Sequence, residues 1–168
     1  MTENFCLKHV GAEDPAEENR MSGFGLLDLF QCEVEYHFST QDMSLEEAEL
    51  YIQNVLNCLP DKTINEICKL SYEWKTEKMS SDTAEYPAGL AEAEGKDILA
   101  FMSVGYVELY RNPYNSNDKS LGAILGGGTK WDTENGMEIV IHGHKVLEVH
   151  EYLGYGEFAI WTEADESE

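Results

Sequence analysis

The sequence predicts an α+β domain: an antiparallel sheet of about five to seven strands with a packed helix pair. Three observations carry this expectation. Two capping-box signatures, each followed by a helical apolar stripe, stand close together in the first half of the chain. Short apolar or alternating runs, separated by turn residues, fill the second half. Helical and strand signals are segregated along the chain, which favours α+β. A length of 168 residues suits one domain over 1–168.

In chain order, residues 11–22 (GAEDPAEENRMS) are polar, acidic and broken by Pro15, and predict a loop within a mobile leader over 1–22. From Gly25 onward, Leu27, Leu29, Val34, Tyr36 and Phe38 partly alternate, which predicts one or two strands. Ser44 with Glu47 forms the first capping box, and Leu45, Ala48, Ile52, Val55, Leu56 and Leu59 follow at helical spacing until Pro60. Thr63 with Glu66 forms the second, ahead of a stripe through Ile64, Ile67, Leu70, Ser71 and Trp74. Only a few residues join the two helices, so they are expected to pack together. Residues 79–97 are small, polar and turn-rich, and predict a loop with room for a short helix around 89–94.

The remainder predicts strands. They fall at 98–104, at 106–110 and at 121–125, where Gly126, Gly127 and Gly128 interrupt the run with a bend or bulge. Residues 137–142 and 145–150 flank Gly143-His144 as a type II′ hairpin. A last strand is expected at 157–161, before a frayed acidic end at 162–168.

Charge is the abnormal property. The chain holds 33 acids against 11 Lys and Arg, a net of -22. The excess is spread along the whole length instead of being gathered in a tail. Such a body repels nucleic acid and anionic lipid and attracts basic proteins. Direct nucleic-acid binding and membrane binding are therefore not expected. The N-terminal residues have neither a basic n-region nor an apolar h-region, and no apolar run reaches the roughly 18 residues of a membrane helix. Cys6, Cys32, Cys58 and Cys68 form no C-x-x-C pair. These features point to a cytoplasmic protein with free thiols.

Candidate chemistry is sparse. His142, His144 and His150 lie on or beside one hairpin, but no thiolate or carboxylate stands at zinc-signature spacing, and surface histidines are the simpler reading. The three glycines lack the lysine and helix of a phosphate loop. Catalytic carboxylate pairs need contrasting environments, and 33 acids make any chosen pair uninformative. Cys58 and Cys68 fall on helices and read as small core residues. No catalytic residue, metal ligand or cofactor is assigned. Tyr106, Tyr110, Tyr114, Tyr152 and Tyr155 gather in the second half with Trp131, Phe158 and Trp161. Few bases interleave with them, so they suit a protein interface better than a nucleic-acid stacking surface.

The segment from Trp131 to Val149 opens with WDTENG and continues as the hairpin just described. Over residues 126–152 it resembles small acidic bacterial immunity-type domains of toxin–immunity systems. That resemblance implies a binding role and supplies no catalytic motif. Together with the charge, it leads to the expectation of a non-catalytic acidic protein that neutralises a basic partner, such as a nuclease toxin. The expected contact residues are Trp131, Asp132, Glu134, Glu138, Glu151 and Tyr152. Alternatives are a DNA-mimic inhibitor of a nucleic-acid-binding defence protein, a metal-binding enzyme built on the hairpin histidines, and a solvated domain with no charge-dependent partner.

Overall fold

The computed structural model describes residues 4–14, 16–81, 84–112, 115 and 117–154. Among these residues seven strands form one sheet in chain order: β1 (Lys8–Asp14), β2 (Glu17–Leu27), β3 (Cys32–Ser39), β4 (Met102–Arg111), β5 (Leu121–Thr129), β6 (Met137–His142) and β7 (Lys145–His150). Two α-helices, α1 (Leu45–Asn54) and α2 (Asp61–Ser81), lie in the connection from β3 to β4. That long crossover lets β3 and β4 run parallel, whereas every other neighbouring pair is antiparallel. The α+β class with a mostly antiparallel sheet is the observed architecture. The strand expected at 157–161 and the acidic end at 162–168 lie outside the described residues.

The first helix begins as its sequence requires. The Ser44 hydroxyl accepts from the Glu47 amide at 3.1 Å, and the Glu47 carboxylate accepts from the Ser44 amide at 3.3 Å. The second helix starts earlier than its signature. It opens at Asp61, directly after Pro60, so Thr63 already lies inside it and makes no capping box. The Thr63 hydroxyl instead donates to the His144 carbonyl, tying α2 to the β6–β7 turn. Ala48, Tyr51 and Ile52 of α1 and Ile67 and Cys68 of α2 join the inward residues of the sheet in one core. Val34, Tyr36, Phe38, Val107, Leu109, Leu125, Ile139 and Ile141 supply the sheet side.

Four sequence expectations are corrected. The segment 11–22, read as a loop in a mobile leader, pairs as β1 and the start of β2. Polar side chains do not prevent backbone pairing at a sheet edge, where charge is favoured, and the Asp14 carboxylate organises the turn by accepting from the Ala16 amide at 2.8 Å. The apolar run 98–104 is split: Gly95–Phe101 is a 3-10 helix and the strand starts at Met102. A short apolar run has no period to distinguish these forms. Gly126, Gly127 and Gly128 do not interrupt β5, which pairs with β4 through Thr129. The irregularity sits opposite, between Val104 and Tyr106. Cys58, read as a core residue, is exposed in the 3-10 turn Leu56–Cys58, while Cys68 is buried as expected.

Two of these glycines are required by close approach. A Cβ on Gly127 would sit 1.8 Å from the Ser103 carbonyl oxygen, and one on Gly126 would sit 2.1 Å from the Tyr106 ring. Gly128 has nothing within 4 Å of that position. Gly127→Ala is therefore expected to lower unfolding free energy by about 3 kcal/mol in urea denaturation, and Gly128→Ala to change it by less than about 0.5 kcal/mol. Equal effects of the two variants would contradict the backbone packing described here.

Candidate functional site

Residues opposite one another on neighbouring strands share a face of the sheet. The registers place Glu35, Tyr106, Gly126, Glu138 and His150 in one row across β3 to β7. A second row runs through His37, Glu108, Ile124, Val140 and Glu148. The residues next to these along each strand enter the main core, so both rows belong to the face turned away from the helices. Their apolar part is a separate small cluster of Ile124 and Val140 with Tyr110 and Leu147.

The middle of this face is a cup of about 70 Å³ lined by Tyr106, Glu108, Tyr110, Ile124, Glu138, Tyr152 and Gly154. Gly126 lets the Tyr106 ring lie close over β5, in the space a side chain would take. Ile124 supplies apolar surface beside it. The Tyr110 hydroxyl donates to Glu108. Glu138 is 2% exposed, and its Oε1 accepts from the amides of Leu153 and Gly154 at 2.8 and 2.9 Å. Those bonds hold the segment after β7 against the cup and bring Tyr152 to its rim. Burial, and then the carboxylate of Glu108, raise the Tyr106 phenol above its ordinary pKa, with Tyr152 and Glu138 adding to the shift.

Charge pairing differs across the face. Toward β1–β3, Glu13 contacts both His37 and Arg20, Glu35 lies 3.3 Å from the His37 Nε2, and Arg20 reaches Glu108 at 3.9 Å. Toward β7, His150 is held between two acceptors, the Glu151 carbonyl and the Glu148 carboxylate, each at 2.6 Å.

The contact residues expected from sequence divide into two groups. Trp131 is 1% exposed and packs edge to face on Trp74 with ring centres 5.3 Å apart. Asp132 is buried, and its carboxylate accepts from the Asn135 amide at 3.3 Å and side chain at 3.0 Å, 3.9 Å from Lys78. These two are corrected as contact residues: the WDTENG sequence is a turn stapled by its aspartate, with its tryptophan plugging the core. Glu134, Glu151 and Tyr152 are exposed, and Glu138 lines the cup. Of the clustered aromatics, Tyr114, Tyr155, Phe158 and Trp161 lie outside the described residues.

Glu108, Ile124 and Gly126 were not singled out by sequence reasoning. The alternation in YVELY at 106–110 is the signal that puts Tyr106, Glu108 and Tyr110 on one face. The hairpin histidines turn to separate surroundings: His142 meets the Ser120 hydroxyl at 2.9 Å, His144 is exposed, and His150 takes the partners named above. Among the described residues no group of three His, Cys, Asp or Glu is placed to hold a metal ion. A cleft of about 270 Å³ beside Leu29, Leu56, Leu59, Ile64 and Leu99 is larger than the cup and mostly apolar, with Asp28, Asn57 and Lys96 also on its wall.

One buried cation has no sequence signature at all. Lys75 of α2 is 2% exposed, and its ammonium donates to the carbonyls of Leu90, Ala91 and Ala93 at 2.9, 3.3 and 2.6 Å. Burial lowers its pKa, against the opposing pull of Glu92 and Glu94. All three donors are used on the chain's own backbone, so Lys75 pins the loop before β4 onto α2 and is not placed for reaction.

Fold and site together define an α+β domain with one sheet face packed on helices and the other lined by tyrosines and carboxylates. The chain belongs to the family described as Domain of unknown function (DUF6985), whose model matches residues 15–156. No curated protein and no solved structure matches the chain. Among the described residues no helix is long and apolar enough to cross a membrane.

Burial disfavours the charged His150, but the Glu151 carbonyl and the Glu148 carboxylate outweigh it, and the imidazole is held above its ordinary pKa. Its contribution to stability is full below an unfolded value of about 6.5 and is lost as pH rises through the folded value. His150→Gln is expected to destabilise the protein at about pH 5.5 and to have a smaller effect at about pH 8.5, measured by urea denaturation at both. A penalty that grows with pH would contradict the assignment.

Proposed function

We propose that this chain is a non-catalytic acidic binding protein that neutralises a basic protein partner, in the manner of an immunity protein acting on a toxin. The observation that carries the reading is the sheet face opposite the helices, where Tyr106, Tyr110 and Tyr152 surround the carboxylates of Glu108 and Glu138. Tyrosines anchor interfaces through large rigid rings with a polar tip, and carboxylates steer and align a cationic partner. A net charge of -22 extends that attraction beyond contact distance. A nuclease toxin is a fitting partner, because a surface that binds phosphates must itself be cationic. The likeness of residues 126–152 to immunity-type domains supports the same reading. DNA mimicry receives less support, since tyrosines, Ile124 and the paired Arg20 and His37 interrupt the carboxylates on this face.

The test is co-purification with the products of neighbouring genes, followed by binding kinetics at several salt concentrations. A basic protein should be retained, with an association rate that falls at least about tenfold between 50 and 500 mM salt. Retention of no basic protein, or an association rate indifferent to salt, would contradict the proposal.

A further inference from the structure

We infer that the cup on the sheet face opposite the helices is a receptor for a single arginine side chain of the partner protein, held between Tyr106 and Tyr152 and neutralised by Glu108 and Glu138. This inference deepens the docking reading above and depends on it for the source of the arginine.

Four observations lead to it. The size is right: a cup of about 70 Å³ admits one planar head group and little more. The walls are right: tyrosine faces present negative charge to a cation, and a flat guanidinium stacks on them. The charge is right: Glu108 on β4 and Glu138 on β6 stand on either side of β5, and the described cationic groups beside them are Arg20, 3.9 Å from Glu108, and His150, opposite Glu138 on β7. The acceptors are right as well. Backbone amides occupy Oε1 of Glu138, and its Oε2 carries no hydrogen bond among the described residues, on a side chain that is 2% exposed. That second oxygen can accept an incoming N–H while Oε1 keeps its backbone donors.

Arginine fits better than lysine. Its five donors form a planar fork that can reach carboxylates on two strands at once, whereas an ammonium is a compact point charge that prefers water. The methylene stem finds apolar cover on Ile124, which lines the cup and packs with Val140.

The experiment is an NMR titration of the full chain with three peptides, Gly-Gly-Gly-X-Gly-Gly-Gly, where X is arginine, lysine or citrulline. Citrulline keeps the shape of arginine without its charge. The arginine peptide should shift resonances of Tyr106, Gly126, Tyr152 and Gly154, and bind at least about tenfold more tightly than the citrulline peptide and more tightly than the lysine peptide. Tyr152→Ala removes an exposed wall with little structural risk and should weaken arginine binding at least about fivefold, while Tyr72→Ala on α2 should leave it unchanged. Equal binding of arginine and citrulline, preference for lysine, or shifts confined to another surface would each overturn the inference. A salt-sensitive basic partner whose affinity is untouched by Tyr152→Ala would overturn the receptor alone and leave the proposed function standing. Selective arginine-peptide binding in the cup, with no basic partner retained, would sink the proposed function instead and leave the cup a guanidinium site.

Discussion

The pleat governs this structure: each strand sends alternate side chains to opposite faces of the sheet, and the helices take part in the core on one of them. On that side, residues such as Val107, Leu109, Ile139 and Ile141 share the main core with residues of α1 and α2. On the other side the same strands present Tyr106, Glu108, Ile124, Glu138 and Glu148 in cross-strand rows. A shift of one residue in the pairing of β4 with β5 would exchange the two sets. The opposed backbones at Gly127 and Ser103 resist such a shift, because only glycine permits that approach. Core packing and the binding face are thus two consequences of one register.

A chain with a net charge of -22 must also keep its acids from opposing the fold. Most of the described acids lie outside the core, and the two carboxylates buried among the described residues, Asp132 and Glu138, are given donors. Asp132 closes its own turn through Asn135, and Glu138 receives two amides from the segment after β7. Lys75 is the converse case, a cation drawn inside by three carbonyls of the loop it fastens. Each of these interior polar groups is committed to architecture. Glu138 alone also borders the cup, which links the integrity of the β7 end to the composition of the proposed docking face.

Much of the fold was legible in the sequence. The Ser44 capping box, the inward Ala48 and Ile52 of α1 and the β6–β7 hairpin follow from local patterns, whereas α1 stops at Asn54 and the stripe continues into the 3-10 turn Leu56–Cys58. What escaped was decided by distant partners. The polar β1–β2 hairpin exists because backbones pair regardless of side-chain polarity. Thr63 leaves its capping role for the His144 carbonyl, contributed from far along the chain. Lys75 resembles any solvated helix lysine until the loop folds over it. The site was half legible: the tyrosines and Glu138 drew attention as aromatics and acids, but Trp131 and Asp132 stood out through a turn motif that serves the fold. Glu108 was hidden among many acids, and only the strand registers single it out.

On the proposed function, the acidic surface acts through one face instead of through net charge alone. The most direct measurement compares two double charge reversals of equal magnitude in their affinity for the basic partner. Glu108→Lys with Glu148→Lys alters the face opposite the helices, and Glu66→Lys with Glu73→Lys alters the exposed side of α2. The first pair is expected to weaken binding by about a hundredfold and the second by less than about threefold. Equal losses from the two pairs, or a greater loss from the helix pair, would show that the face opposite the helices is not where the partner docks.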